Sequence, residues 1–76
     1  MWYVYLLECS DGTLYCGITN NLNKRIETHN KGKGARYTKC RLPVKLRTYF
    51  ELENRSLASK EEYRIKQLTR EEKLKL

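Results

Sequence analysis

The sequence predicts an α/β chain of the α+β kind: a small three-stranded, mostly antiparallel sheet packed by helices, in the order β-β-α-β-α-α. Three observations carry this. Residues 2–9 and 13–19 are β-rich runs separated by Ser10-Asp11-Gly12, a strong hairpin signal. Residues 44–52 alternate apolar and polar side chains. Two further stretches, one after Asn20 and one over 56–68, carry apolar residues at helical spacing behind capping residues.

The register of the hairpin follows from its turn. With Gly12 in the left-handed position of a three-residue loop, Cys9 pairs with Thr13. Val4, Leu6, Leu14, Cys16 and Ile18 then share one face, which is a good core face. Tyr3, Tyr5, Leu7, Tyr15 and Gly17 share the other. A one-residue slip would mix the two sets, so the pattern itself favours this register.

The first helix is expected to be capped by Thr19 or Asn20, with Leu22 and Ile26 as its buried stripe. At ~100° per residue, Leu22, Arg25, Ile26 and His29 fall within about 100° of the helical wheel. A cation and an imidazole beside a buried stripe need an explanation. Snorkelling explains an arginine taken alone, and an isolated histidine is more often structural than catalytic. The helix should end before Gly32 and Gly34. The stretch from Lys31 to Lys39 is basic, contains two glycines and one tyrosine, and is expected to lie outside the core.

Beyond Pro43, Val44, Leu46, Thr48, Phe50 and Leu52 alternate with Lys45, Arg47, Tyr49 and Glu51, which predicts a half-buried strand. The second long helix has Asn54 or Ser56 as candidate caps and Leu57, Ala58, Ile65 and Leu68 as apolar positions. Thr69-Arg70-Glu71-Glu72 is a capping box, so a short last helix should start there.

With 76 residues, the chain is expected to be one domain spanning 1–76. No apolar run approaches the roughly 20 residues a membrane span needs. The N-terminus lacks the basic-then-apolar pattern of a secretory signal. The odd set Cys9, Cys16 and Cys40 contains no C-x-x-C pair, which argues against a disulfide framework and a zinc site. Free thiols in a reducing cytoplasm are expected. A catalytic cysteine paired with His29 is the weaker reading.

The formal net charge is +7, and it is concentrated: nine basic residues and one acid, Glu27, lie between Lys24 and Arg47. A local basic block among structured segments attracts polyanions, and nucleic acid is favoured over a merely basic soluble surface. Lys31, Lys33, Arg36 and Lys39 are the candidate phosphate contacts, and Tyr37 is the candidate stacking ring. The bland alternative is a flexible solvated loop.

Tyr3-Val4-Tyr5, followed on the next strand by Tyr15-Cys16-Gly17, resembles the GIY-YIG signature. The likeness continues through Arg25 and His29, through Gly34-Ala35-Arg36-Tyr37-Thr38, which is similar to the loop of the small single-domain members, and through Glu62-Tyr63-Arg64-Ile65-Lys66 in the second long helix. Each piece alone is weak; their order and spacing across nearly the whole chain are specific. Tyr3 stands where the signature has Gly, and Cys16 where it has Ile. The larger nucleases also have an Asn downstream of the Glu, whereas here no Asn follows Asn54.

The resemblance implies a metal-dependent phosphodiesterase acting on DNA, in repair or recombination, with RNA as the alternative polymer. It places Tyr5 and Tyr15 beside the scissile phosphate and completes the site with Arg25, His29 and Glu62. Glu62 would hold a divalent cation, Mg²⁺ before Mn²⁺, since Mg²⁺ is often bound by one carboxylate plus water and substrate phosphate. Tyr15 or His29 would take a proton from the attacking water. Arg25 would stabilise the pentavalent state. Tyr5 would bond the phosphate or the base, and Gly17 would let the phosphate backbone approach the strand. Periodicity alone does not choose between Glu61 and Glu62; the family pattern picks Glu62. The rival reading is a non-catalytic nucleic-acid-binding module of the same fold, favoured by the missing Asn and the missing specificity domain. An RNA-binding or protein-adaptor domain is a third.

Overall fold

The computed structural model describes residues 1–76. Seven elements follow in order: β1 (Trp2–Glu8), β2 (Leu14–Thr19), α1 (Leu22–Asn30), α2 (Arg36–Lys39), β3 (Lys45–Leu52), α3 (Arg55–Lys66) and α4 (Arg70–Leu74). The expected order is present, with one addition, the single-turn α2 inside the basic loop. The sheet order is β2-β1-β3. Both pairings of β1 are antiparallel.

The hairpin register is the expected one. Tyr5 faces Gly17, Leu6 faces Cys16 and Leu7 faces Tyr15. The Cys9 N–H donates to the Thr13 carbonyl at 2.9 Å, and Gly12 closes the turn with φ +83°. The two faces then build two cores. Val4, Leu6 and Cys16 pack with Ala58 and Ile65 of α3. Tyr5, Leu7, Cys9 and Val44 pack with Tyr15 and with Leu22 and Ile26 of α1. The tyrosine face is thus as well covered as the aliphatic one, with Tyr5 and Leu7 both buried.

Several local expectations are corrected. The cap of α1 is Asn21, whose side chain accepts from the Lys24 N–H at 3.2 Å. The Thr19 hydroxyl instead accepts from the Asn21 N–H at 3.1 Å, which turns the chain from strand to helix. In β3 the alternation is broken. Leu6 faces Thr48 but Leu7 faces Leu46, so an extra residue bulges out between them. Leu46 therefore lies on the tyrosine face while Thr48, Phe50 and Leu52 lie on the α3 face. As an edge strand, β3 is also more exposed than its pattern suggests. Of the two candidate caps of α3, Asn54 is the one used; the helix ends at Lys66, short of the expected Leu68, and Leu57 is exposed. The capping box at Thr69 and Glu72 is present with both of its bonds.

The basic loop also departs from the expectation that it lies outside the core. Within α2, Thr38 is fully buried. Its partner explains why.

Candidate active site

The side chain of His29 points off the last turn of α1 into the tyrosine face and is fully buried. Its Nε2 lies 3.0 Å from Tyr5 Oη, and its Nδ1 lies 2.8 Å from Thr38 Oγ1. The Thr38 hydroxyl donates to the Ala35 carbonyl at 3.0 Å. With that proton committed, Thr38 Oγ1 accepts from His29 Nδ1–H. Nε2 is then the acceptor and takes the Tyr5 hydroxyl proton. Tyr5 Oη in turn accepts from Arg25 Nε at 3.3 Å. The result is a continuous line of donors and acceptors, from Arg25 through Tyr5, His29 and Thr38 to the Ala35 carbonyl. The Ala35 N–H lies 3.4 Å from Nδ1, at the long limit for a bond, and competes poorly with the 2.8 Å contact. No buried side-chain polar atom is left without a partner.

Burial sets the protonation of this line. It pushes the Tyr5 phenol above its ordinary value, with Arg25 opposing through its hydrogen bond and its charge. Burial, followed by the Arg25 charge, holds the His29 imidazolium below its ordinary range. Near neutral pH the line therefore carries a protonated Tyr5 and a neutral His29, as the hydrogen bonds require.

Two glycines make room for it. A Cβ at Gly17 would lie 2.5 Å from Tyr5 Oη, so the Tyr5 phenol lies directly over Gly17. That supplies a different reason for glycine here from the phosphate approach expected from sequence: the space is filled by protein. A Cβ at Gly34 would lie 2.6 Å from His29 Cγ. Gly34 and Thr38 are the site-forming residues that sequence reasoning did not single out. Both lie inside the Gly34–Thr38 segment, whose spacing does not tie them to His29.

Tyr15 completes the aromatic cluster, with its ring centroid 5.3 Å from His29 and 6.4 Å from Tyr5. Its hydroxyl makes no hydrogen bond within the protein, in contrast to that of Tyr5. Tyr37 stacks against Tyr15, with centroids 5.9 Å apart, and carries the Arg41 guanidinium 4.0 Å over its ring. Asp11 holds that guanidinium at 3.0 Å. Part of the surface expected to stack on a base is therefore occupied by Arg41. Of the loop cations, Lys31 pairs with Glu27 at 2.7 Å, while Lys33, Arg36 and Lys39 are exposed and enter no ion pair.

The structure brings Tyr5, Tyr15, Arg25 and His29 together, but Glu62 makes no bond to any of them. It sits on α3, which covers the opposite face of the sheet, and pairs with Lys66 at 3.6 Å. Lys66 lines a groove with Tyr15 and Tyr37, which places the pair at the β2 edge. Glu61 is taken by Arg64. Burial foremost, then the Glu62 charge, pushes the Cys16 thiol up to about 11. All three cysteines are free, and both nitrogens of His29 are engaged elsewhere, so no cysteine–histidine pair forms.

No three His, Cys, Asp or Glu side chains converge to hold a metal. A divalent cation fits here only as a hard ion on the single half-buried carboxylate of Glu62, completed by water and substrate oxygens, which suits Mg²⁺. No helix is long and apolar enough to cross a membrane.

Fold and site together define a small α+β protein built around a buried tyrosine–histidine–arginine cluster. The chain belongs to the GIY-YIG family, a family of nucleases: the family model described as the GIY-YIG catalytic domain matches residues 1–75. It is similar to a UPF0213 protein of Clostridium perfringens, 58% identical over the whole of this chain and 82% of the relative. A UPF0213 protein of Nitratidesulfovibrio vulgaris is 49% identical over 97% of this chain and 67% of its own length. Two solution NMR structures share the fold. One, a UPF0213 protein from Bacillus halodurans, is 42% identical with a TM-score of 0.59, over 96% of this chain and 79% of that one. The other, a protein from E. faecalis, is 40% identical with a TM-score of 0.64, over 96% and 78%. Membership implies a nucleic-acid substrate.

Proposed function

We propose that this chain hydrolyses phosphodiester bonds of DNA with the help of a divalent cation, Mg²⁺ before Mn²⁺, in repair or recombination. One observation carries the reading: the line Arg25–Tyr5–His29 stands behind a Tyr15 hydroxyl that has no partner in the protein.

His29 is enclosed, with both nitrogens bonded, so an attacking water meets Tyr15 first. Tyr15 Oη takes the water's proton as the oxygen bonds to phosphorus and releases its own phenolic proton to solvent. Tyr5 retains its own proton, donates it in a hydrogen bond to His29 Nε2, and accepts from Arg25 Nε, which fixes Arg25. The terminal nitrogens of Arg25 make no bond in the protein and are free to meet two phosphate oxygens as charge builds on them. Glu62 would hold the cation, whose charge would polarise the phosphate and ease departure of the sugar oxygen. Lys33, Arg36 and Lys39 would hold flanking phosphates, with Lys31 exchanging Glu27 for one, and Tyr37 would offer its remaining ring surface to a base.

The rival, a binding module without catalysis, is favoured by one observation: Glu62 already has a cation in Lys66 and no second carboxylate beside it free of a partner. The test is cleavage of single-stranded, duplex, nicked and branched DNA with Mg²⁺ or Mn²⁺, beside Glu62→Ala. Cleavage lost in the variant supports the nuclease. Intact binding with no cleavage under any condition supports the module. Tighter binding of RNA than DNA at equal salt would defeat the choice of DNA.

A further inference from the structure

The cations that follow α3 have no part in the roles above, yet the fold places them carefully. Two surface concavities, of about 210 and 320 Å³, share Leu14, Tyr37 and Lys73 and so form one groove along the free edge of β2. Thr13 and Arg70 line one end; Tyr15, Cys16 and Lys66 line the other. No acidic residue lines it. Lys73 and Arg70 enter none of the ion pairs of the protein, so their charge is uncompensated. The α4 segment is also held in place. Arg70 donates to the Gly12 carbonyl at 2.9 Å, and Arg47 donates to the Leu74 carbonyl at 3.1 Å. Lys73 is half-buried and projects from this fixed turn into the groove.

We infer that the β2-edge groove is the track for the nucleic-acid backbone on one side of the bond to be cut, with Lys73 and Arg70 as its phosphate contacts. This rests on the reading proposed above. The groove starts at Tyr15, a residue of the candidate site, so a strand with its phosphate there has a cationic exit towards the Gly12 turn. The loop cations Lys33, Arg36 and Lys39, which line neither concavity, then serve the other side. Cations on one wall and tyrosine rings along the floor match a phosphate backbone with its sugars and bases, chemistry an acidic peptide does not share.

The experiment is fluorescence anisotropy of a labelled DNA duplex and its single strand, in EDTA, across a salt series. The variants are Lys73→Ala, Lys73→Glu and Arg70→Gln, with Lys60→Ala, an exposed cation of α3 outside the groove, as control. Lys73→Ala should weaken binding and lower the slope of log K against log salt by about one. Lys73→Glu should weaken it further, and Lys60→Ala should match wild type. The Lys73 side chain makes no hydrogen bond, so its variants keep the fold even where Arg70→Gln loosens the turn. Both Lys73 variants binding as wild type, with an unchanged slope, would overturn the inference. Displacement of DNA by poly-glutamate at lower concentration than by unlabelled DNA would also overturn it. Because no cleavage is read, absence of nuclease activity in the metal series would defeat the proposed function and leave this result standing.

Discussion

Tyr5 and His29 lie 24 residues apart in the chain, and Tyr5 Oη meets His29 Nε2 at 3.0 Å in a fully buried contact. This bond joins the central strand to the end of α1. Each partner has a second bond, to Arg25 and to Thr38, so the pair is the middle of a line and not an isolated contact.

Removing the Tyr5 hydroxyl leaves a buried imidazole nitrogen and an arginine N–H without their partner. Tyr5→Phe should therefore cost about 1–3 kcal/mol, the penalty for stranding a buried polar group. Chemical denaturation measures it. A loss within error of zero would mean that water replaces the hydroxyl.

The two glycines that admit the line have no slack. An alanine methyl at Gly17 would meet the Tyr5 ring, and one at Gly34 would meet the His29 ring. Neither ring is the loose end of a flexible chain. Gly17→Ala and Gly34→Ala should each destabilise by about 1–3 kcal/mol, as overpacking does. Thermal melts check this; a neutral Gly34→Ala would show that the α2 loop gives way cheaply.

Much of this was legible in the sequence, for definite reasons. The hairpin register was fixed by the turn at Gly12 and by two incompatible sets of side chains, so Tyr5, Tyr15 and Gly17 could be placed on one face. Arg25 and His29 followed from helical spacing, and Thr69 from its capping box. What escaped depended on tertiary fit. The bulge near Leu46 keeps both residue types plausible on either face. The Asn21 cap was hidden among three neighbouring cap-forming residues, Thr19, Asn20 and Asn21. The burial of Thr38 needs the chain to reverse at Gly32, φ +77°, and return to His29, which no periodicity records. Glu62 could be chosen over Glu61 only by family pattern, and each carboxylate has its own cation in the fold.

Burial depresses the proton affinity of His29 from its ordinary 6.5, with Arg25 adding to the effect. The unfolded chain then takes up a proton that the folded chain refuses. The stability tied to neutral His29 is fully present above pH 6.5 and is lost as pH falls through its folded value. Asp11, Glu27 and Glu72, also lowered, start from 3.8, 4.5 and 4.5 and act only at lower pH. Melting temperature should thus begin to fall just below pH 6.5 in wild type, and His29→Gln should lose that early part of the decline. The same decline in both proteins would remove His29 as its source.

The thiols should divide by burial. Cys9 and Cys16 are buried, and burial raises both, Cys16 to about 11. Cys40 is exposed. Thiolate is the reactive form. A disulfide reagent at pH 8 should modify Cys40 rapidly in the native protein and the other two only on unfolding, with intact mass as the readout. Fast native labelling of Cys16 would mean that the β2 edge opens.

Thr38 fixes which nitrogen of His29 carries the proton. Its hydroxyl proton goes to the Ala35 carbonyl, so the oxygen is left to accept Nδ1–H. Thr38→Val keeps the shape and removes that acceptor. The imidazole can then move its proton to Nε2, donate to Tyr5 and turn Nδ1 towards the Ala35 N–H, 3.4 Å away. Tyr5 would no longer give its proton to His29, and Arg25 would lose its fixed neighbour's orientation. Nitrogen NMR shifts of the imidazole should show the Nδ1–H form in wild type and a shift towards Nε2–H in Thr38→Val, with Thr38→Ser restoring the wild-type pattern. The substitution should also cost about 1–3 kcal/mol, since the Ala35 carbonyl loses its donor inside the fold. If the turnover of a cleavable DNA falls in Thr38→Val and returns in Thr38→Ser, the tautomer matters to the chemistry. Equal imidazole shifts in all three proteins would mean that Tyr5, and not Thr38, sets the proton's position.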